Sequence, residues 1–211
     1  MEALAALFDA APDNDLPQGE RFNVCPTQDV AVVTSQDGVR RLRPMRWGFV
    51  PDWYKSPTDG PLIINARSET VAEKPAFRAA VRDRRCLIPA SGFYEWTQGD
   101  NGARLPWYIT RADGGVMALA GVWQEREQGG NRLVTCAIVS TAAGPQMAAL
   151  HHREPVLVER ADWPLWLGEA GKGAALLMKS CGEGALALHR VGVAVNSNRA
   201  SGPGLVAALV A

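Results

Sequence analysis

The chain has 211 residues, 47% of them hydrophobic and 21% charged, and a formal net charge of zero; this composition suits a soluble globular protein with a full core and excludes nucleic-acid binding through bulk positive charge. No apolar run approaches the ~18 residues needed to span a bilayer, and the N-terminus lacks the basic lead and apolar stretch of a secretory signal, so a cytoplasmic location with no membrane partner is expected. Four widely spaced cysteines (Cys25, Cys86, Cys136, Cys181) without a C-x-x-C pair, and three histidines without zinc spacing, imply free thiols in a reducing compartment, no metal and no cofactor.

Residues 2–10 place Leu4, Leu7 and Phe8 at helical spacing and predict a short helix, followed by a polar loop through Gly19. Residues 30–34 and 39–45 read as strands around Gln36-Asp37-Gly38, a hairpin signal. Residues 51–61 form a loop, and Ile63-Ile64 leads into Asn65-Ala66-Arg67-Ser68-Glu69-Thr70. Pro75 opens a helix through Asp83 with Phe77, Ala80 and Val81 facing inward. Residues 86–96, 107–110, 117–124 and 133–140 are the strongest strands, divided by Gly- and Asp-rich turns. Residues 145–150 read as a brief helix delivering His151, 156–158 as a strand, 161–167 and 174–179 as helical, and 186–195 as strand. Without a repeat or a break in composition, this predicts an α+β fold, a strand-rich bent or barrel-like sheet with peripheral helices, in one domain over residues 1–211.

Charge is uneven along the chain. Residues 1–20 hold five acids and no base, whereas residues 40–85 hold eleven bases against five acids. Such a segment is either a solvated mixed face or a surface that tracks phosphates.

Several side chains suit chemistry. Glu95 lies between Tyr94 and Trp96, and strand alternation puts Phe93 and Glu95 on one face. A carboxylate among aromatics is desolvated and its pKa rises toward the range useful for acid–base work; a solvated sheet face is the alternative. Asn65 and Arg67 are two apart and share a face in extended backbone, an amide and a guanidinium that suit an anionic, oxygenated ligand. Alternatively, Asn65 caps the following turn and Arg67 makes a surface ion pair. The doublet His151-His152 leaves open which ring faces a site. Trp47, Phe49, Trp53 and Tyr54 interleave with Arg46 and Lys55, a pattern that stacks bases while holding phosphates, or simply core packing. No G-x-S-x-G elbow or Walker loop is present.

In this order, Arg46-Trp47-Gly48-Phe49-Val50-Pro51, the Asn65 motif, Gly92-Phe93-Tyr94-Glu95-Trp96 and His151-His152-Arg153-Glu154-Pro155 resemble the SRAP family, the SOS response-associated peptidases that shield abasic sites in single-stranded DNA. The likeness runs from the first helix and Arg21-Phe22-Asn23-Val24-Cys25-Pro26 through to Val195-Asn196-Ser197. It implies an SRAP-like fold and, as partner, single-stranded DNA with abasic sites, bound by a monomer that is nucleoid-associated when on DNA. Family members begin Met-Cys-Gly-Arg-Phe, remove the Met autocatalytically, and condense the exposed cysteine with the opened abasic sugar as a thiazolidine crosslink, with lyase activity besides. Carried over by motif, the catalytic set is Asn65, Glu95 and His151; Arg67 contacts phosphates, Trp47 shapes the DNA groove, and Arg46 and Arg153 add DNA contacts. An ordinary peptide hydrolase is the least supported reading.

Three departures accompany the resemblance. The sequence opens Met1-Glu2-Ala3-Leu4, close to the helix that should follow the family's lead. The expectation is a start assigned too late, or a truncated or inactive form that acts as a non-covalent single-stranded DNA-binding module. Cys25 is no substitute, because an internal cysteine has no free α-amine. Glu154 stands where the family usually has Met, and is expected to place negative charge near the site and weaken phosphate contacts. His152 replaces a commonly acidic neighbour.

Overall fold

The structure is a computed structural model that describes residues 1–128 and 130–209. Its strands are β1 (Ala11–Pro12), β2 (Asp29–Gln36), β3 (Val39–Trp47), β4 (Asn65–Arg67), β5 (Arg85–Ala90), β6 (Phe93–Gln98), β7 (Arg104–Arg111), β8 (Met117–Gln128), β9 (Asn131–Ala142), β10 (Arg153–Pro155) and β11 (Leu186–Arg190). The α-helices are α1 (Glu2–Phe8), α2 (Pro75–Asp83), α3 (Pro145–Ala148) and α4 (Trp163–Leu167).

The first sheet runs β1-β3-β2-β5-β8-β9-β10, with β4 also on β9. Strands β3 and β9 pair in parallel, Arg46 opposite Thr135 and Trp47 opposite Cys136. That pairing closes β3, β2, β5, β8 and β9 into a five-stranded barrel and removes the exposed edges an open sheet would leave. A second sheet, β11-β7-β6, is antiparallel throughout. The barrel-like α+β architecture expected from the sequence is the one observed.

Local sequence explains the elements. Asp37 and Gly38 both take positive φ, 51° and 77°, the two-residue turn whose twist matches that of the flanking strands. It sets Val33 opposite Leu42, and both are fully buried. Pro75 opens α2. The Arg85 guanidinium closes that helix by donating to the carbonyls of Val81 (2.8 Å) and Arg82 (2.7 Å).

The barrel strands are apolar on both faces. Val33, Leu87, Ala120 and Ala137 join one core with Phe8, Phe77, Trp163 and Trp166 from α1, α2 and α4. Their neighbours Val32, Cys86, Leu119 and Cys136 join a second core with Ile109, Leu186 and Met147 from the other sheet and α3. Burial on two sides is why these strands read as continuous apolar runs.

Three expectations need correcting. Residues 86–96 form two strands, because the chain bends at Ser91-Gly92 and passes from the barrel (β5 on β8) to the second sheet (β6 on β7). A Cβ on Gly92 would press into the Ile109 carbonyl and the Tyr108 ring. The strand expected at 156–158 lies instead at β10, and Leu157 makes only an isolated bridge to Leu119. Strand β11 ends at Arg190, and Val193–Asn196 is a 3-10 turn.

Candidate active site

Strand β6 delivers Glu95. Phe93, two positions earlier, packs against the second core, and Glu95 pairs with Trp107, so the carboxyl opens on the apolar face while Tyr94 turns to the other side against Tyr108. The Glu95 side chain is 24% exposed. Burial pushes its carboxyl above the ordinary value, and His151 and the Trp96 backbone N–H pull it partly back.

His151 reaches it from the other side. Pro145 starts α3, buried Met147 anchors that turn in the second core, and the Met147 carbonyl accepts the N–H of both Leu150 (2.8 Å) and His151 (2.9 Å). The imidazole Nδ1 lies 3.7 Å from Glu95 Oε1 and 3.0 Å from the Arg153 carbonyl oxygen. The Arg153 backbone N–H also lies 3.3 Å from Nδ1, so this nitrogen donates to the Arg153 carbonyl when it carries the proton and accepts from the Arg153 N–H when it does not. His151 therefore faces Glu95. His152 is exposed, its ring 4.4 Å from that of His151.

Glu154 behaves differently from expectation. Its side chain is fully buried, Oε2 accepting the Gly144 N–H (2.9 Å) and Oε1 the Cys181 N–H (2.8 Å). Its charge is absorbed inside the protein, where it ties the start of α3 to the 181 loop and so supports the segment that carries His151. The Cys181 thiol beside it is pushed up to about 12, by burial and then by the Glu154 charge.

Asn65 and Arg67 occupy exposed positions on β4 with buried Ala66 between them, so they share a face. Among the described residues neither side chain has a hydrogen-bond partner, which leaves both available to a ligand. Strand β4 runs along β9, Asn65 opposite Ile138 and Arg67 opposite Ser140. Ile138, Trp47, Phe93 and Leu150 pack on the same core, so the strand carrying Asn65, the one carrying Glu95 and the turn carrying His151 share one apolar floor. Trp47 is part of that floor, its indole N–H donating to the Ile64 carbonyl (3.0 Å). The Arg46 guanidinium folds back onto the Gly48 carbonyl (2.8 Å).

Arg153 is strongly oriented. Its guanidinium meets Glu69 through two bonds (3.2 and 2.9 Å) and also donates to the Ser140 carbonyl (2.6 Å) and hydroxyl (3.2 Å). Arg153 in turn holds the Glu69 carboxyl below its usual range. Glu69 and Ser140 were not singled out in the sequence; the signal was the position of Glu69 two residues beyond Arg67 in one motif.

Much of the basic segment is internally engaged. Arg40 pairs with Glu169 (2.7 Å), Arg41 and Arg43 with Asp13 (2.5 and 3.6 Å). Arg84 donates to Gln124 (2.6 Å) and Arg85 to backbone carbonyls. The acidic N-terminal stretch and the basic segment thus partly neutralise each other.

Comparison with known proteins gives this geometry a context. The family model for SOS response associated peptidase (SRAP) matches residues 1–198. The chain is 36% identical over 159 residues to "Abasic site processing protein YoqW" of Bacillus subtilis (strain 168), covering 74% of this chain and 71% of that protein. It is 30% identical over 163 residues to "Abasic site processing protein YedK" of Escherichia coli (strain K12), covering 76% and 71%. A crystal structure of a Bacteroides thetaiotaomicron protein superposes with a TM-score of 0.84 at 22% identity, covering 99% of this chain and 95% of that one, and shares the fold.

Proposed function

The chain belongs to the SOS response-associated peptidase family, and from that premise we propose that it processes abasic sites in single-stranded DNA, with Asn65, Glu95 and His151 as catalytic residues. The observation that carries the reading is the Glu95–His151 contact of 3.7 Å in a half-buried site, which shares its apolar floor with the strand that carries the exposed amide and guanidinium of Asn65 and Arg67. Relatives named as abasic site processing proteins support the substrate class.

The chemistry follows from the groups. An abasic deoxyribose is mostly a closed hemiacetal, and opening it removes the proton from the anomeric hydroxyl and delivers one to the ring oxygen. A carboxyl with a raised pKa performs both transfers. The α-amine of an N-terminal cysteine then adds to the aldehyde, one water leaves, and the thiol closes the ring on the same carbon as a thiazolidine. His151 accepts and returns protons in those steps, in their reversal and in lyase or autopeptidase chemistry. Asn65 orients the linkage, Arg67 holds a flanking phosphate, and Trp47, Arg46 and Arg153 complete the DNA surface.

A second reading has its own observation. Cys25, Cys86, Cys136 and Cys181 are internal, and Cys86 and Cys136 are buried, so none offers the paired amine and thiol a thiazolidine needs. A form of the protein that presents no terminal cysteine then holds the DNA without a covalent bond. The two readings separate on a denaturing gel with abasic single-stranded DNA. Protein presenting a terminal cysteine should give a retarded, denaturation-resistant band, slowed at least about tenfold by Glu95→Gln. The 211-residue chain should bind the DNA and leave no such band. No band from the cysteine-terminated protein would refute the covalent reading.

A further inference from the structure

A cleft of about 260 Å³ lies near the Tyr94 face of β6, the face opposite Glu95, its lining including Glu20, Arg21, Asn23, Gln28 and Arg199. Hydrogen bonds connect it to both site motifs. The Phe22 carbonyl accepts the Tyr94 hydroxyl at 2.7 Å, on the face of β6 opposite the neighbouring Glu95. The Gln28 carbonyl accepts the Trp47 N–H at 2.9 Å, and the Trp47 indole in turn reaches the carbonyl preceding Asn65.

The walls come from opposite ends of the chain and are braced together. The Asn23 amide donates to the carbonyls of Ser197 (3.0 Å) and Ala200 (3.2 Å). A cleft tied across its mouth in this way is formed before any ligand arrives.

Its charge is not cancelled locally. The Arg21 guanidinium donates to the Asp29 carbonyl and to Gln28 Oε1, both neutral acceptors. Arg199 is exposed, and among the described residues its side chain has no partner; only its backbone N–H is held, by the Ser197 hydroxyl (3.3 Å). Glu20 is the one carboxylate in the lining. Two guanidinia against one acid leave a positive excess carried by fork-shaped donors, the geometry that suits a phosphate.

We propose that this cleft is a second DNA subsite, taking a backbone phosphate of the strand that flanks the lesion. It rests on the reading of the protein as a single-stranded DNA binder. Its amides and guanidinia match a phosphodiester and its sugar without selecting a base. It extends the footprint beyond the lesion and helps to hold the protein on undamaged flanking DNA.

The test is fluorescence anisotropy with a single-stranded oligothymidylate of about 12 nucleotides, titrated at several salt concentrations. Each phosphate contact to a single strand contributes about 0.7 to the slope of log affinity against log salt. Arg199→Gln should lower that slope by about 0.7, and adding Arg21→Gln should lower it by about 1.4 in total. Arg199 bears no structural bond through its side chain, so its variant keeps the test valid even if Arg21→Gln unfolds. Arg67→Gln serves as the comparison for the main site. If Arg67→Gln reduces the slope while Arg199→Gln leaves slope and affinity at wild-type values, the subsite is refuted and the main reading stands. If the wild-type chain does not bind the oligonucleotide at all, both fail.

Discussion

The raised pKa of the Glu95 carboxyl has a consequence for stability. Below the unfolded-state value of about 4.3 the group is protonated in both folded and unfolded chains and contributes no difference. As pH climbs from there through the higher folded-state value, the unfolded chain gives up its proton more readily, so native stability falls; above the folded-state value the loss is complete. Glu95→Gln should therefore be more stable than wild type at pH 7, with the advantage shrinking toward pH 4, although it removes the carboxyl proposed to carry protons. Urea titrations at the two pH values measure this, and an equal difference at both would mean that burial does not shift the group. The aromatic setting of Glu95 was legible in the sequence, because alternation along Phe93-Tyr94-Glu95-Trp96 fixes its face. The choice between His151 and His152 was not, since it depends on where β6 passes. Nor was the fate of Glu154: its partners lie 10 and 27 residues away along the chain.

At the scale of elements, the bend at Gly92 decides whether Glu95 meets His151. Hydrophobic periodicity continues through residues 86–96, so the sequence reads as one strand. Only pairing reveals that β5 belongs to the barrel and β6 to the second sheet. The reason is steric: a side chain at Gly92 meets a backbone carbonyl of β7, which cannot rotate away as a flexible side chain would. Gly92→Ala should cost about 1–3 kcal/mol, as over-packing at a rigid contact does, and should shift β6 relative to α3. Thermal unfolding gives the first quantity. The NMR chemical shifts of the His151 imidazole give the second, since a displaced Glu95 changes the surroundings of that ring. A variant with wild-type stability would mean that the two sheets have slack at this junction. Elements with purely local causes were legible almost to the residue: α2 starts at Pro75 and ends at Asp83, and the first hairpin turns at Asp37-Gly38. Strand β10 is short, and its existence depends on Ser140, Thr141 and Ala142 of β9 lying opposite.

For the whole molecule the governing fact is how charge is distributed at zero net charge. The eleven bases between residues 40 and 85 left two readings open in the sequence, and the fold resolves part of them toward internal pairing. Folding brings Asp13 and Glu169 onto Arg40, Arg41 and Arg43, while Arg84 and Arg85 close backbone and side-chain acceptors. Linear charge counts cannot see this, because an ion pair such as Arg40–Glu169 spans 129 positions. Those cations have little to offer a nucleic acid, since binding a phosphate would first break an existing contact. Among the described residues the guanidinia of Arg67 at the main site and Arg199 in the flanking cleft have no partner, and that of Arg21 is held only by neutral acceptors. About three phosphate contacts at about 0.7 each set a salt slope near −2 for single-stranded DNA, far shallower than a phosphate-tracking segment of eleven bases would produce. Arg40→Gln should leave that slope unchanged while lowering stability through the loss of its pairing with Glu169, a half-buried bond to a helix-flanking loop. Anisotropy titrations over roughly 50–200 mM salt, run on wild type and Arg40→Gln, check both halves. A wild-type slope steeper than about −5 would mean that the paired arginines exchange their internal carboxylates for DNA phosphates.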